Sequence, residues 1–177
     1  MGLESEPEPK RRTLRVMAGS MLAVMAGVPA AIAARFALDP TLRRRKGGAA
    51  EPVRVADLAA VPDDGTPRAF PVRADQVDGW TGTPDVEVGV VYLRKTEDGV
   101  VAWNARCPHL GCLIEHKADE GHFLCPCHSS VFGEDGSRQN EVSPRDMDTL
   151  PAEVRDGAVY VAYQDFKYRL SKKVPVA

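Results

Sequence analysis

The sequence predicts an antiparallel all-β domain carried behind a single N-terminal transmembrane helix. Three observations lead there. Nineteen residues, Val16 to Ala34, pass without one charge. After residue 50 no long segment keeps an apolar period of 3.6; strand-like runs alternate with turn signals instead. All four cysteines gather between Cys107 and Phe132, with two of the four histidines at ligand-like spacing. A length of 177 residues suits one ordinary domain with room for an extra segment. With 27% charged and 44% hydrophobic residues, most of the chain can fold as a globule, and its 15 Gly and 14 Pro suggest many turns. A net charge of -2 gives no reason to expect nucleic acid as a partner.

The chain opens with a polar, acidic stretch, so residues 1–12 are read as a disordered N-terminus ending in the paired Arg11-Arg12. Residues 13–34 are read as the membrane anchor. Leu14 to Ala34 makes 21 residues, about 31 Å of helix, roughly the thickness of the bilayer hydrocarbon. Pro29 would be costly in a soluble helix but is tolerated in a spanning one. Gly19, Ala23, Gly27 and Ala31 recur every fourth residue, a face on which another helix could pack closely. The paired arginines before a mildly apolar Ala/Gly-rich run resemble a twin-arginine export signal, and Ala31-Ile32-Ala33 would suit signal peptidase. Positive charge flanks both ends of the run and leaves the orientation open; export would put the C-terminal bulk outside the cytoplasm. Residues 35–52 carry a basic run, Arg43 to Lys46, then Gly47-Gly48-Ala49-Ala50, and read as a flexible tether.

Residues 53–177 form the β domain. Val53-Val55, Ala69-Arg73, Val86-Lys95, Val100-Asn104, His122-Leu124 and Ala158-Tyr168 are its expected strands. Turns are expected at Asp63-Asp64-Gly65, Asp78-Gly79, Glu97-Asp98-Gly99, Gly133 to Gly136 and Asp156-Gly157.

Cys107-Pro108-His109-Leu110-Gly111-Cys112 and Cys125-Pro126-Cys127-His128 stand twelve residues apart. Each segment offers a Cys and a His and has a second Cys left over. Cys-x-His and Cys-x-Cys-His do not suit a zinc ribbon, which presents Cys-x-x-Cys pairs. A cluster held by two thiolates and two imidazoles fits better. Two Fe(III) and two sulfides under four thiolates carry a charge of -2; two neutral imidazoles in place of two thiolates make it 0, so an electron is added more easily. Reduction then raises the proton affinity of an iron-bound imidazole, which couples electron to proton uptake.

These paired motifs resemble those of the Rieske [2Fe-2S] proteins, above all the membrane-anchored iron–sulfur subunits of cytochrome bc-type complexes. The resemblance implies an all-β Rieske-type domain with one [2Fe-2S] cluster, Cys107 and Cys125 on one iron and His109 and His128 on the other. It implies a disulfide between Cys112 and Cys127 that clamps the two loops together. His128 would be the catalytic residue that meets the quinol, and Ser130 would donate a hydrogen bond to a sulfide. Leu110 would belong to an apolar docking tip and Pro144 to a loop covering the cluster. The implied function is that of the electron-transfer subunit of a quinol:cytochrome c oxidoreductase, inactive alone. Its partners would be cytochrome b, with quinol at that interface, and a c-type cytochrome; its place, the cell membrane, single-pass, with the cluster domain outside the cytoplasm.

Two residues depart from the family pattern. Ser129 stands where Gly is usual, and Phe132 where high-potential members have a Tyr that donates to a cysteine sulfur. A lost donor leaves negative charge on the cluster less stabilised, which suits a low-potential quinol such as menaquinol. Ser129 raises the question of a positive φ at that position. The small Rieske subunit of an arsenite oxidase is the alternative function, compatible with Phe132 and the short loops; the long tether favours the first. Rieske ferredoxins and ring-hydroxylating oxygenases lack the extra cysteine pair and the anchor. His116 and His122 are expected as exposed strand or turn residues, and Trp80 and Trp103 as packing.

Overall fold

The structure is a computed structural model that describes residues 8–42, 51–78 and 81–176. It forms two compact units, one carrying the helix and one the β domain.

Helix α1 runs from Glu8 to Leu42. Its stretch Arg11–Leu38 is long and apolar enough to cross a membrane, and none of it is buried against protein. Large side chains such as Val16, Met21, Leu22 and Ile32 are all more than half exposed. An apolar surface of that extent belongs in lipid or against another helix. Ser20 turns its hydroxyl back to donate to the Met17 carbonyl, so it presents no unsatisfied donor. The helix passes both ends of the expected 13–34 span: residues 8–12 are not disordered and 35–42 are not tether. The sequence reading stopped where apolarity stops, but Arg, Ala and Leu remain good helix formers beyond it, and Pro9 sits in the first turn, where its missing N–H costs nothing. Residues 1–7 and the basic and glycine run 43–50 lie outside the described residues, as does Trp80.

Among the described residues the β domain contains three antiparallel sheets. The first is ordered β1 (Val53–Asp57), β10 (Ala158–Val161), β9 (Ala152–Arg155). The second is β2 (Arg68–Asp78), β3 (Thr81–Thr96), β4 (Gly99–Asn104), β8 (Thr149–Leu150). The third is β5 (Glu115–Lys117), β6 (His122–Cys125), β7 (Ser130–Gly133). Strands β3 and β4 are walls shared by two cores. Their side chains alternate, so Val91, Leu93 and Ala102 enter a core with Val72, Val159, Val161 and Phe166. Tyr92 and Trp103, one residue along, enter a second core with Phe123, Phe132, Cys107 and Cys125. Use of both faces explains why Val88 to Leu93 reads as an almost unbroken apolar run.

The loops follow their turn chemistry. Asp156 (φ 48°) and Gly157 (φ 75°) form a two-residue hairpin between the paired Arg155 and Ala158. Positive φ at both central residues is the turn whose twist matches its strands. The expected strand Ala158-Tyr168 ends at Val161. Aromatics recur as far as Tyr168, but the Ala162 amide donates to the Pro151 carbonyl and the chain then leaves the sheet. Strands β5, β7, β8 and β9 were not foreseen.

The whole stretch 105–148 leaves the second sheet after β4 and returns at β8, its neighbour. Its two ends meet where the Asn104 amide donates to the Asp148 carbonyl at 2.8 Å, beside the pair Trp103 and Thr149. All the Cys/His chemistry sits in this excursion.

Candidate metal–sulfur centre

Two loops of like geometry build the site. In the first, the Gly111 amide donates to the Cys107 carbonyl at 2.8 Å; in the second, the Ser129 amide donates to the Cys125 carbonyl at 3.0 Å. Each four-residue step closes on a left-handed residue, Gly111 at φ 79° and Ser129 at φ 59°. The place where Gly is usual does require positive φ, and here a serine takes it. A left-handed non-glycine residue costs roughly 1–2 kcal/mol, part of which glycine's greater freedom when unfolded would offset. Ser129→Gly is therefore expected to stabilise the domain by about 0.5–1 kcal/mol, read from urea unfolding. A neutral or destabilising result would mean that the loop carries no strain there.

The second loop joins β6 to β7, whose last pair is Cys125 and Ser130. Asn140 braces it from outside: its amide nitrogen donates to the Ser129 carbonyl at 2.7 Å, and its oxygen accepts from the Val131 amide at 3.3 Å. Sequence reading missed Asn140, because an Asn in a run of turn residues carries no mark of this contact.

The loops meet through a disulfide between Cys112 and Cys127, with Cα atoms 6.6 Å apart. Cys107 and Cys125 are free thiols and buried. The Cys112, Cys125 and Cys127 sulfurs lie within 4.8 Å of one another, but the disulfide leaves only Cys125 of these three able to act as a thiolate donor. On the same two loops the rings of His109 and His128 meet edge to face, with centroids 4.7 Å apart. His109 is half-buried; His128 is exposed. Burial pushes the Cys107 thiol up, while the His109 amide and the Ser130 hydroxyl pull it down. Ser130 approaches that sulfur without completing a hydrogen bond: its Oγ, like the Nδ1 of His109, is buried with no partner. Buried polar atoms without partners are uncommon in native proteins and call for an explanation. An iron on the imidazole and a sulfide before the hydroxyl would satisfy both. The donor set of two thiols and two imidazoles therefore fits a two-iron cluster.

Phe132 is fully buried in the same core and offers no hydroxyl. Leu110 is 38% exposed at the end of the first loop. Pro144 is half-buried between Ser143 and Arg145. Its loop is held from both sides: Ser143 Oγ donates to the Arg145 carbonyl at 2.7 Å, and Arg138 donates to the Ser143 carbonyl at 3.2 Å.

His116 differs from expectation. It lies on β5 with its side chain only 7% exposed and its Nε2 3.7 Å from a Glu134 carboxylate oxygen. Its ring packs on Phe123 and Tyr92, and the Tyr92 hydroxyl accepts from the His116 amide. The charged residues around it in sequence belong to the opposite face of a strand, which local composition does not reveal. His122 sits toward the surface beside Glu120, and Trp103 is core.

Comparison with known proteins gives a consistent family. The profile of the Rieske [2Fe-2S] domain matches residues 52–151. The chain is 33% identical over 131 residues to the "menaquinol:cytochrome c reductase iron-sulfur subunit" of Geobacillus thermodenitrificans, covering 72% of this chain and 75% of that one. It is 32% identical over 149 residues to the subunit of the same name from Bacillus subtilis, covering 82% and 81%. A plasma-membrane Rieske protein of Synechocystis PCC 6803 aligns with 63% of this chain and 99% of its own, at 23% identity and a TM-score of 0.46.

Proposed function

Because the chain belongs to the Rieske [2Fe-2S] family, we propose that it is the iron–sulfur subunit of a quinol:cytochrome c oxidoreductase, working with cytochrome b and a c-type cytochrome. The domain carries one [2Fe-2S] cluster and is anchored to the membrane by a single helix, α1. The chain alone does not turn over; catalysis belongs to the assembly.

Cys107 and Cys125 would bind one iron, and His109 and His128 the other. When bound, the cluster supplies a one-electron carrier of raised potential, because two of its four protein ligands are neutral. The observation that carries this reading is the pair of buried free cysteines on the same two loops as two histidines whose rings touch, with Cys112–Cys127 joining those loops. His128, exposed beside the half-buried His109, is the imidazole a quinol can reach. When its free ring nitrogen carries no proton, it would accept a hydrogen bond from the quinol hydroxyl and take that proton as the electron leaves. Leu110, exposed on the first loop, offers an apolar contact to the cytochrome b surface around it. Pro144 would belong to a loop that covers the cluster. The domain would lie outside the cytoplasm, delivered by the paired-arginine signal, with the run after α1 as its tether. None of the comparisons supports the arsenite-oxidase alternative.

Menaquinol is the donor best suited to the site. Two relatives bear that quinol in their names, and Phe132 lacks the hydroxyl that would stabilise negative charge at a cysteine sulfur. Phe132→Tyr is expected to raise the midpoint potential in a redox titration of the purified protein. The added hydroxyl is buried there and is costly unless it donates, which directs it to the sulfur. A wild-type potential equal to that of ubiquinol-oxidising centres would sink the menaquinol assignment. Isolation of the membrane complex tests the function itself: copurifying cytochrome b and c-type cytochrome are expected, and a molybdopterin subunit would overturn it.

A further inference from the structure

The C-terminal segment after β10, expected as strand as far as Tyr168, instead reaches the cluster loops. It forms a closed loop. At its base the Lys167 amide donates to the Val174 carbonyl at 2.8 Å and the Val176 amide to the Asp165 carbonyl at 2.9 Å. Phe166 anchors this base in the first core. The tip, Tyr168-Arg169-Leu170, rests on two separate parts of the site. The Arg169 amide donates to the Pro108 carbonyl at 3.0 Å. The Tyr168 ring occupies the space beside Gly111: a Cβ built on Gly111 would lie 2.5 Å from Tyr168 Cζ and 2.8 Å from Cε2. These two contacts grip the residue before His109 and the residue two after it. On the other side Arg145 Nη1 donates to the Leu170 carbonyl at 2.6 Å. The same guanidinium is fixed by a buried bidentate pair with Asp148, at 2.9 and 2.7 Å. The tip thus ties the first ligand loop to the 143–148 loop, independently of the disulfide.

We propose that Tyr168 is a positioning residue, which by packing on Gly111 holds the first loop, and so the His109 imidazole, in its place. This deepens the reading above and rests on His109 being a ligand. Gly111 is then required twice, for its left-handed φ and for the ring that lies where a side chain would be. Removing the ring takes away the surface that packs on Gly111, while the backbone bond from Arg169 remains.

The test compares the full chain with Tyr168→Phe, Tyr168→Leu and Tyr168→Ala. Amide hydrogen exchange at Gly111 is expected to rise about tenfold in Tyr168→Ala and to stay at the wild-type rate in Tyr168→Phe, with Tyr168→Leu between them. The EPR signal of the reduced cluster is expected to broaden in Tyr168→Ala, as His109 samples several orientations, and to keep its wild-type shape in Tyr168→Phe. Unchanged Gly111 exchange in both the Ala and Leu variants would overturn the proposal. So would a fall in melting temperature with an unaltered EPR signal, which is what a merely structural role gives. A wild-type protein without an iron–sulfur signal would instead overturn the cluster assignment, and the exchange measurement would still judge the brace. Should Tyr168→Ala fail to fold, the Leu and Phe pair carries the same comparison.

Discussion

Cys125→Ser is expected to abolish the EPR signal of the reduced cluster and, with it, all quinol:cytochrome c activity of the assembled complex. Cys125 is buried, free and paired in register with Ser130 at the base of the second loop. A serine there keeps the shape but offers a hydroxyl that does not ionise at neutral pH, so one anionic, soft iron ligand is lost. Because ligand binding and folding of such a loop are coupled, a lowered melting temperature is expected as well. Cys107→Ser should behave alike. Ser130→Ala should retain the cluster at a lower potential, since its hydroxyl is a donor and not a ligand. A full-strength signal in Cys125→Ser would place the iron elsewhere.

The double variant Cys112→Ser, Cys127→Ser should lose about 3 kcal/mol of stability, or roughly 10 °C in melting temperature. The disulfide closes a loop of 15 residues, and cross-linking removes that loop's freedom from the unfolded chain. The native state should suffer too, because the disulfide joins the two loops directly. The cluster should therefore be lost on mild warming before the β domain unfolds. Chemical denaturation followed together with visible absorbance separates these events. Coincident, unshifted transitions would show that the bond adds nothing beyond its neighbours, Asn140 and the tip of the C-terminal loop.

The parts of this molecule that the sequence made legible are those where chemistry restricts residue choice. Iron ligation admits Cys and His at tight spacing, so residues 107–128 stood out without any structure. Positive φ at two adjacent positions restricts Asp156-Gly157 in the same way, and alternation over two cores marks β3 and β4. Other features depend on contacts between distant residues. β8 has two residues and exists because β4 lies beside it. β7 was hidden inside a motif read for its ligands. His116 looked exposed because its sequence neighbours are charged, and only the pairing of β5 with β6 turns it inward. Tyr168 and Arg145 lie far from the motif in sequence, and a tyrosine or an arginine on its own announces nothing. The helix ends were misplaced for a related reason, since a membrane limits apolarity and not helicity.

The excursion from Asn104 to Asp148 begins and ends on neighbouring strands, a few ångströms apart. Bringing those ends together costs chain entropy once, and that cost grows only slowly with the length of what lies between. The scaffold formed by the first two sheets thus acts as a socket, indifferent to the size of the module plugged into it. Lineages could lengthen, trim or retune the iron-binding module while the strands beneath kept their register. Folding could proceed in the same order, scaffold first, with metal loading left to a small unit whose two ends were already joined.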